Sequence, residues 1–564
     1  MEPTPIDRLD AIVAELQAKK DEWATLPIPQ RLDLLRRCLE HAMAAAEGLV
    51  RASCKHKGIA FDAPVSAEEW LAGPVVIVRN LRLLHESLSQ IRDHGRPQLR
   101  PGSSRRRADG QLVVEVFPQG FLDKLLFAKL RAEIWMQPGE TEASMLESMA
   151  WVYRDLASQK GKVALVLGAG NVSSIGPMDV LYKLFVENQV CVLKMNPVNE
   201  YTGPHVEASL KPLVDAGYLQ VVYGGADVGA HLVHHAGVDE IHITGSDAVH
   251  DIIVWGPPGE QAENKANNAP KLTKPITSEL GCVTPVIVLP GNWSEKELQY
   301  HAENVATMVA NNASHNCNAA KTILTWKGWA QRESFLARIQ EILSSVPPRV
   351  TYYPGSDKKY DGFLEAHPEA KALASRGEGK VPWTAIFGVD AQNADDVVFT
   401  REAWCGVIAE AALEAKDEDE YASAVVDFAN DKLWGTLSCV LVADPATQRR
   451  LGAGFDDLVA RLRYGTVGVN AWGALSYAFA ITTWGAFPGH SLDDIRSGIG
   501  VVHNTLMFKN PQKTVIWAPF TIAPKPPFFV THRNGHQVAK KMLQFEYSPS
   551  FWKFPGIAIS ALGG

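Results

Sequence analysis

Between residues 163 and 244 the chain alternates short apolar runs with longer amphipathic stretches. Val163 to Leu167, Val190 to Met195, Leu219 to Tyr223 and Glu240 to Thr244 have the length and β-branched content of buried strands. The intervening stretches read as helices, one from about Met178, one from about Tyr201 to Ala216 and one before Glu240. Strand–helix alternation at this spacing predicts βαβ units and a parallel sheet. Val283 to Leu289 opens a second α/β block, with further strands expected near 322–326, 351–353, 406–413, 437–442 and 466–469. Ahead of both, residues 6 to 58 read as helices, because Leu32, Leu35, Cys38, Leu39, Met43, Ala46 and Leu49 recur near a helical period after Pro27 and Pro29. Residues 96 to 110 form a basic, turn-rich connection, read as a solvated loop because no aromatic residue interleaves its charges. Residues 519 to 564 are rich in Pro, Phe and Trp and show no clear period.

At 564 residues the chain exceeds one ordinary core, so two or three domains are expected. A net charge of −8 without a basic stripe argues against a nucleic-acid partner. The seven cysteines are scattered with no C-x-x-C pair, which indicates neither a disulfide framework nor a metal site. The first residues are polar and acidic and lack the apolar core of a signal peptide. No run approaches the roughly 18 apolar residues needed to span a bilayer. The expectation is a soluble cytoplasmic protein with reduced thiols.

The candidate chemistry centres on Cys317 and Glu279. Cys317 lies in Asn311-Asn-Ala-Ser-His-Asn-Cys317-Asn-Ala-Ala-Lys321, among small polar residues rather than core-like ones. Glu279 lies in Ile276-Thr-Ser-Glu279-Leu-Gly-Cys, just before an apolar strand. A thiol and a carboxylate supply a nucleophile and a base for covalent acyl chemistry. Cys282 and Cys405 sit in apolar contexts and read as structural. Gly168-Ala-Gly170-Asn171-Val-Ser173 follows the first strand but lacks the third glycine of a dinucleotide fingerprint, where Ser173 stands. The turn still offers free N–H groups, and Asn171 an amide for a developing oxyanion; a turn using Gly and Asn only for positive φ is an equal reading. In Thr244-Gly245-Ser246, Gly245 allows close backbone approach, and Ser246 either caps the next helix or binds a phosphate at its N-terminus. Glu402, in Arg401-Glu-Ala-Trp404-Cys-Gly-Val, taken alone reads as a solvated carboxylate, and Asp417-Glu-Asp-Glu420 as a helix-start charge run.

Taken in order, these segments resemble the aldehyde dehydrogenase superfamily. Thr244-Gly245-Ser246 is similar to its T-G-S turn, Glu279-Leu-Gly-Cys to E-L-G-G, Asn316-Cys317 to the nucleophile segment and Glu402-Ala-Trp-Cys-Gly-Val to E-I-F-G-P-V. Gly465-Thr-Val-Gly-Val-Asn470 and Ser497-Gly-Ile-Gly500 match its C-terminal motifs, so the likeness runs from about residue 6 to 517. It implies an α/β fold, a Rossmann-like cofactor domain plus an α/β catalytic domain with a small oligomerisation element. The expected units are 1–280 for NAD(P), with an oligomerising or bridging insertion within 110–162, 281–500 for catalysis, and 501–564 as a return segment and tail. The resemblance further implies that Cys317 attacks an aldehyde, that Asn171 holds the oxyanion and that Glu279 activates the water that hydrolyses the thioester. Gly245, Ser246, Glu402, Lys194, Gly225 and Trp404 would bind NAD or NADP, with NAD slightly favoured, in a homodimer or homotetramer. The Pro/Gly/Asn-rich stretch 256–270 reads as an extra loop. Alternatives are a CoA-acylating dehydrogenase or acyl-CoA reductase, which retention of Glu279 disfavours, and an inactive structural member, which the intact Cys317, Glu279 and Asn171 set disfavours. Trp472 and Trp484 are expected to shape an apolar tunnel. The tail is read as packing over the catalytic domain or a partner subunit, in preference to touching a membrane, because no amphipathic helix with a basic face is evident.

Overall fold

The computed structural model describes residues 1–127 and 129–564. Its fold is α/β, built on two sheets. In the first, Ile276–Glu279, Glu240–Thr244, Val163–Leu167, Val190–Lys194 and Leu219–Val222 lie side by side and parallel. Gly498–Ile499 pairs antiparallel on the outer edge of Ile276–Glu279. These strands are almost wholly buried because helices cover both faces, the condition under which a parallel strand reads as a continuous apolar run. The order of strands along the sheet reverses between Val163–Leu167 and Glu240–Thr244. In an open α/β sheet that point, at the carboxyl ends of the strands, is where a ligand crevice forms.

The second sheet is larger. Thr284–Val288, Ala320–Trp326, Val407–Leu413 and Thr384–Phe387 run parallel on one side, and Ser438–Val442, Thr466–Val469 and Pro511–Trp517 on the other. Leu112–Phe117 and Arg131–Met136 extend it antiparallel through Pro511–Trp517, so the segment within 110–162 joins the second sheet. Chain crosses between the sheets in both directions, at residues 279–284 and again at Gly498–Ile499.

Helices Ile6–Ala24 and Ile28–His56 stand where the periodicity places them. The second buries Leu32, Leu35, Cys38, Ala42, Ala46, Leu49 and Val50 along one stripe, against Val76–His94 and Gly203–Ser209. The residues of the run Asp417 to Glu420 start a helix, with the Asp417 carboxylate accepting from the Glu420 N–H.

Four expectations change. Residues 258–266 are a helix, not a loop: Pro257 is its cap, Pro258 its first residue and Asn267 its end, so the helix-breaking types sit at the termini where they are tolerated. Residues 351–353 are not a strand; pairing stops at Arg349–Val350, and Tyr352 turns its hydroxyl to Asn312 Oδ1 at 2.9 Å. Ser104–Arg106, within the expected loop, is an edge strand on Leu112–Phe117. The tail contains helices Gly535–Tyr547 and Phe554–Leu562, whose periodicity is obscured because both sides of the last helix are apolar.

Candidate active site

The chain leaves the first sheet through Glu279 and enters the second at Thr284. Cys317 lies just ahead of the next strand, Ala320–Trp326, and the Asn171 turn follows Val163–Leu167. All three side chains therefore meet between the sheets, on the wall of one cavity of about 410 Å³. Trp472, Trp484 and Tyr477 line it beside them.

The loop that presents Cys317 is strained. Asn312, Ala313 and Ser314 follow one another at φ of 52°, 55° and 66°, a left-handed run that costs on the order of 1–2 kcal/mol per non-glycine residue. A buried polar network holds it. Asn312 Nδ2 donates to Asn171 O at 3.0 Å and Asn316 Oδ1 at 3.0 Å, and its backbone N–H donates to Glu68 Oε2 at 2.9 Å. Its Oδ1 accepts from Tyr352 and from Lys57 Nζ, each at 2.9 Å. Lys57 also donates to Asn171 O at 3.0 Å and Glu69 Oε1 at 2.9 Å. Below the loop, buried Lys321 donates to Ser314 O and Asn316 O at 3.3 and 3.4 Å. The segment beyond it is fixed by Trp472 Nε1 donating to Asn318 O at 2.8 Å. The same network ties Asn171 to the thiol loop, because Asn171 Nδ2 donates one N–H to His315 O at 2.9 Å.

Burial dominates the electrostatics. The Glu279 carboxyl is pushed up to about 8 by burial, reinforced by the negative charges of Asp179 and Glu402. Its Oε1 is buried without a hydrogen-bond partner among the described residues. Burial, followed by the charge of Glu279, raises the Cys317 thiol well above its ordinary value, so thiol and carboxyl both rest protonated at neutral pH. His315 is held down at about 3 by burial and stays neutral, with Nε2 on Ser356 Oγ at 3.0 Å. Cys282 and Cys405 are buried, in line with the structural reading.

The candidate cofactor residues fall along the carboxyl edge of the first sheet. Lys194 ends its second strand, and burial lowers its ammonium pKa although Asp227 and Glu200 are near. Gly225 precedes the helix Ala226–His234. The Gly245 N–H donates to Glu279 O at 3.1 Å, and Ser246 Oγ accepts from the Val249 N–H at 3.3 Å, so Ser246 is engaged as a helix cap. Glu402 is not a solvated carboxylate: Oε1 accepts from the Cys282 N–H at 3.3 Å, and a Cβ at residue 281 would lie 2.3 Å from Oε2. Only glycine leaves room at 281 for that approach. Trp404 packs edge-on against Tyr353 at 5.3 Å and 6.1 Å from His315, and does not line the cavity.

Sequence reasoning missed Lys57, Glu68, Glu69, Asn312 and Tyr352. Nothing local marks them: a lysine after a helix and acids at a helix start are ordinarily solvated. It also left the tail without a position. Pro524 to Phe528, Val538, Met542, Phe554, Ile557 and Ala561 complete the cavity wall, so the tail packs over the cavity that Cys317 lines.

A doubly wound sheet joined to a second α/β block brings a thiol, a carboxyl and an amide together at their junction, groups of the kind that covalent acyl chemistry uses. The aldehyde dehydrogenase family matches over residues 180–350. Retinal dehydrogenase 2 from Homo sapiens is 25% identical over 272 residues, covering 46% of this chain and 47% of that protein. The chain thus spans about half the length of the curated relatives it matches. Among solved structures, an NAD-dependent aldehyde dehydrogenase from Sinorhizobium meliloti superposes with a TM-score of 0.60 at 18% identity, over 93% of this chain and 89% of that one. An NADP-dependent glyceraldehyde-3-phosphate dehydrogenase from Bacillus halodurans superposes with a TM-score of 0.59 at 16% identity, over 92% of each chain. Together these matches show a likeness to aldehyde dehydrogenases, in sequence over residues 180–350 and in fold over most of the chain.

Proposed function

We propose that this chain oxidises an apolar aldehyde to the carboxylic acid, with NAD or NADP as electron acceptor, through a thioester on Cys317 Sγ. The observation that carries this is the meeting of a thiol, a carboxyl poised near neutrality and an amide donor on one largely apolar cavity. Once Glu279 has released its resting proton to solvent, Cys317 Sγ bonds the aldehyde carbon while the thiol proton passes to that carboxylate. The second N–H of Asn171 and the Cys317 backbone N–H hold the resulting oxyanion, each such donor lowering the barrier by about 3 kcal/mol. An oxidised nicotinamide, if held by Lys194, Gly225, Gly245, Ser246, Glu402 and Trp404, would supply the two-electron acceptor that the oxidation needs. Glu279, after losing its proton to solvent, takes one from a water whose oxygen attacks the thioester, and Cys317 departs as the thiol. The balance is aldehyde, water and oxidised nucleotide to acid, reduced nucleotide and a proton.

The residues present fit a dinucleotide. Lys194 is a mostly buried ammonium with no hydrogen-bond or ion-pair partner among the described residues. Its neighbouring strand, Leu219–Val222, leads to the helix start at Gly225, and the turn Gly245-Ser246 lies two strands away along the same carboxyl edge, a cationic and N–H-rich edge suited to phosphates and ribose. Glu402 and Trp404 would serve the nicotinamide end, and assembly into dimers or tetramers belongs to the same proposal.

The test follows reduced nicotinamide spectroscopically with short aliphatic, long aliphatic and aromatic aldehydes, each with NAD and NADP, with and without CoA. We expect CoA-independent turnover and a loss of about 10³-fold or more in Cys317→Ala. Mass spectrometry of protein quenched in turnover should place the acyl group on Cys317. An adduct elsewhere, or product formed only with CoA, overturns the proposal.

A further inference from the structure

The elements that close the outer end of the cavity are apolar on the side facing away from it as well. In the helix Phe554–Leu562, the residues Phe554, Ile557, Ala558 and Ala561 line the cavity. On its other side Ile559 and Leu562 are exposed, and Trp552, just before the helix, is 85% exposed. Beside it, the short helix Phe121–Leu126 packs Leu122 and Leu126 against the cluster of Val538, Phe545 and Ile557, while its Phe121 is 68% exposed. A helix on a water-facing surface ordinarily carries polar residues outward. Here one helix separates an apolar cavity from an outer face that is also apolar.

Charge identifies what that outer face meets. Residues 521–564 hold five basic side chains, Lys525, Arg533, Lys540, Lys541 and Lys553, against one acidic, a net of +4 in a chain of net −8. The one acid, Glu546, is buried between Arg79 and Arg82 and offsets nothing at the surface. Lys525 and Lys540 face Glu303 and Asp62. Lys541 donates to Gly556 O and Ser560 Oγ, and Lys553 to Gln544 O and Ser548 O, all neutral acceptors, so their charge stays uncompensated. Lys124 and Lys129 are exposed on the facing side.

We propose that Phe121, Phe551, Trp552, Ile559 and Leu562, with Lys124, Lys541 and Lys553 among them, dock on an anionic lipid surface, with the helix Phe554–Leu562 between that surface and the cavity. Among the described residues no helix is long and apolar enough to cross a membrane, so the contact is peripheral, apolar side chains at the headgroup boundary and lysines on the phosphates. A second copy of the chain fits less well: a two-fold contact through this rim would bring its lysines toward one another. That the docked cargo is a long-chain aldehyde rests on the function proposed for Cys317; docking itself does not.

The test is co-sedimentation of the full chain with vesicles of phosphatidylcholine plus phosphatidylglycerol, beside vesicles of phosphatidylcholine alone. We expect binding to the mixed vesicles that weakens about tenfold or more on the neutral ones and in Lys541→Glu/Lys553→Glu. The variant Trp552→Ser/Ile559→Ser/Leu562→Ser, none of whose positions lines the cavity, is expected to lose binding while keeping the wild-type melting temperature and circular dichroism. Absence of wild-type binding overturns the proposal, as does equal binding by the folded triple variant. So does a wild-type oligomer that the triple variant dissociates while vesicles stay unbound. Vesicle binding by a protein that turns over no aldehyde would leave docking standing and sink the catalytic reading alone.

Discussion

At the scale of single residues, Glu279 carries a conflict between fold and chemistry. Burial favours its neutral form, whereas a base must ionise. Its folded pKa, about 8, lies above the ordinary 4.5 of a glutamate, so its contribution to stability is complete at pH below that unfolded value and is lost as pH rises through about 8. Wild-type protein is therefore expected to lose melting temperature relative to Glu279→Gln between pH 5 and 9, while proton-dependent turnover rises over the same interval. Parallel melting curves for the two proteins across that interval would contradict the assignment. The motif marked this residue as a candidate base. Its pKa was not legible, because the negative neighbours Asp179 and Glu402 are 100 positions away on one side and 123 on the other.

At the scale of elements, parallel strands were easy to read because burial on both faces makes them continuous apolar runs, and four of the five in the first sheet lie within a residue of their expected bounds, whereas Ile276–Glu279, which mixes Thr, Ser and Glu, was not expected as a strand. The antiparallel strands 112–117 and 131–136, and the strand 511–517 that joins them to the parallel ones, went unplaced, since their pairing depends on a sheet assembled from distant sequence. The same dependence hides the support of the thiol loop, whose left-handed run is braced by Lys57 from beyond the second helix. Lys57→Met leaves Glu69 buried without its cation, a loss of about 3–5 kcal/mol. Denaturant unfolding should show it, with much of it recovered in Lys57→Met/Glu69→Gln. Full recovery of stability without recovery of turnover would mean that the ammonium orients Asn171 and Asn312 as well as neutralising Glu69. No loss in the single variant would remove the network from the account of the loop.

At the scale of the whole molecule, the tail acts as a strap fastened at one buried point. Glu546 accepts from Arg79 Nη1 at 2.7 Å and from Arg82 Nη2 at 2.6 Å, all three groups largely withdrawn from water. Burial alone would raise this carboxyl, and the two guanidinium groups outweigh it and hold the pKa below its ordinary 4.5. A depressed acid contributes stability above its unfolded pKa and loses it as pH falls through the folded value. The helices Gly535–Tyr547 and Phe554–Leu562, which form one wall of the cavity, should therefore loosen first in acid, below about pH 4.5. Glu546→Ala leaves two buried guanidinium groups facing each other and should cost about 3–5 kcal/mol. Hydrogen exchange measured at neutral pH is expected to rise across residues 535–562 in this variant and stay unchanged in the strands 163–167 and 284–288. Because the strap closes the apolar end of the cavity and leaves Cys317 in place, KM for long aliphatic aldehydes should rise more than KM for short ones. Uniform exchange across the molecule would show that Glu546 supports the global fold instead of fastening the tail, and the cavity wall would then owe its position to apolar packing alone.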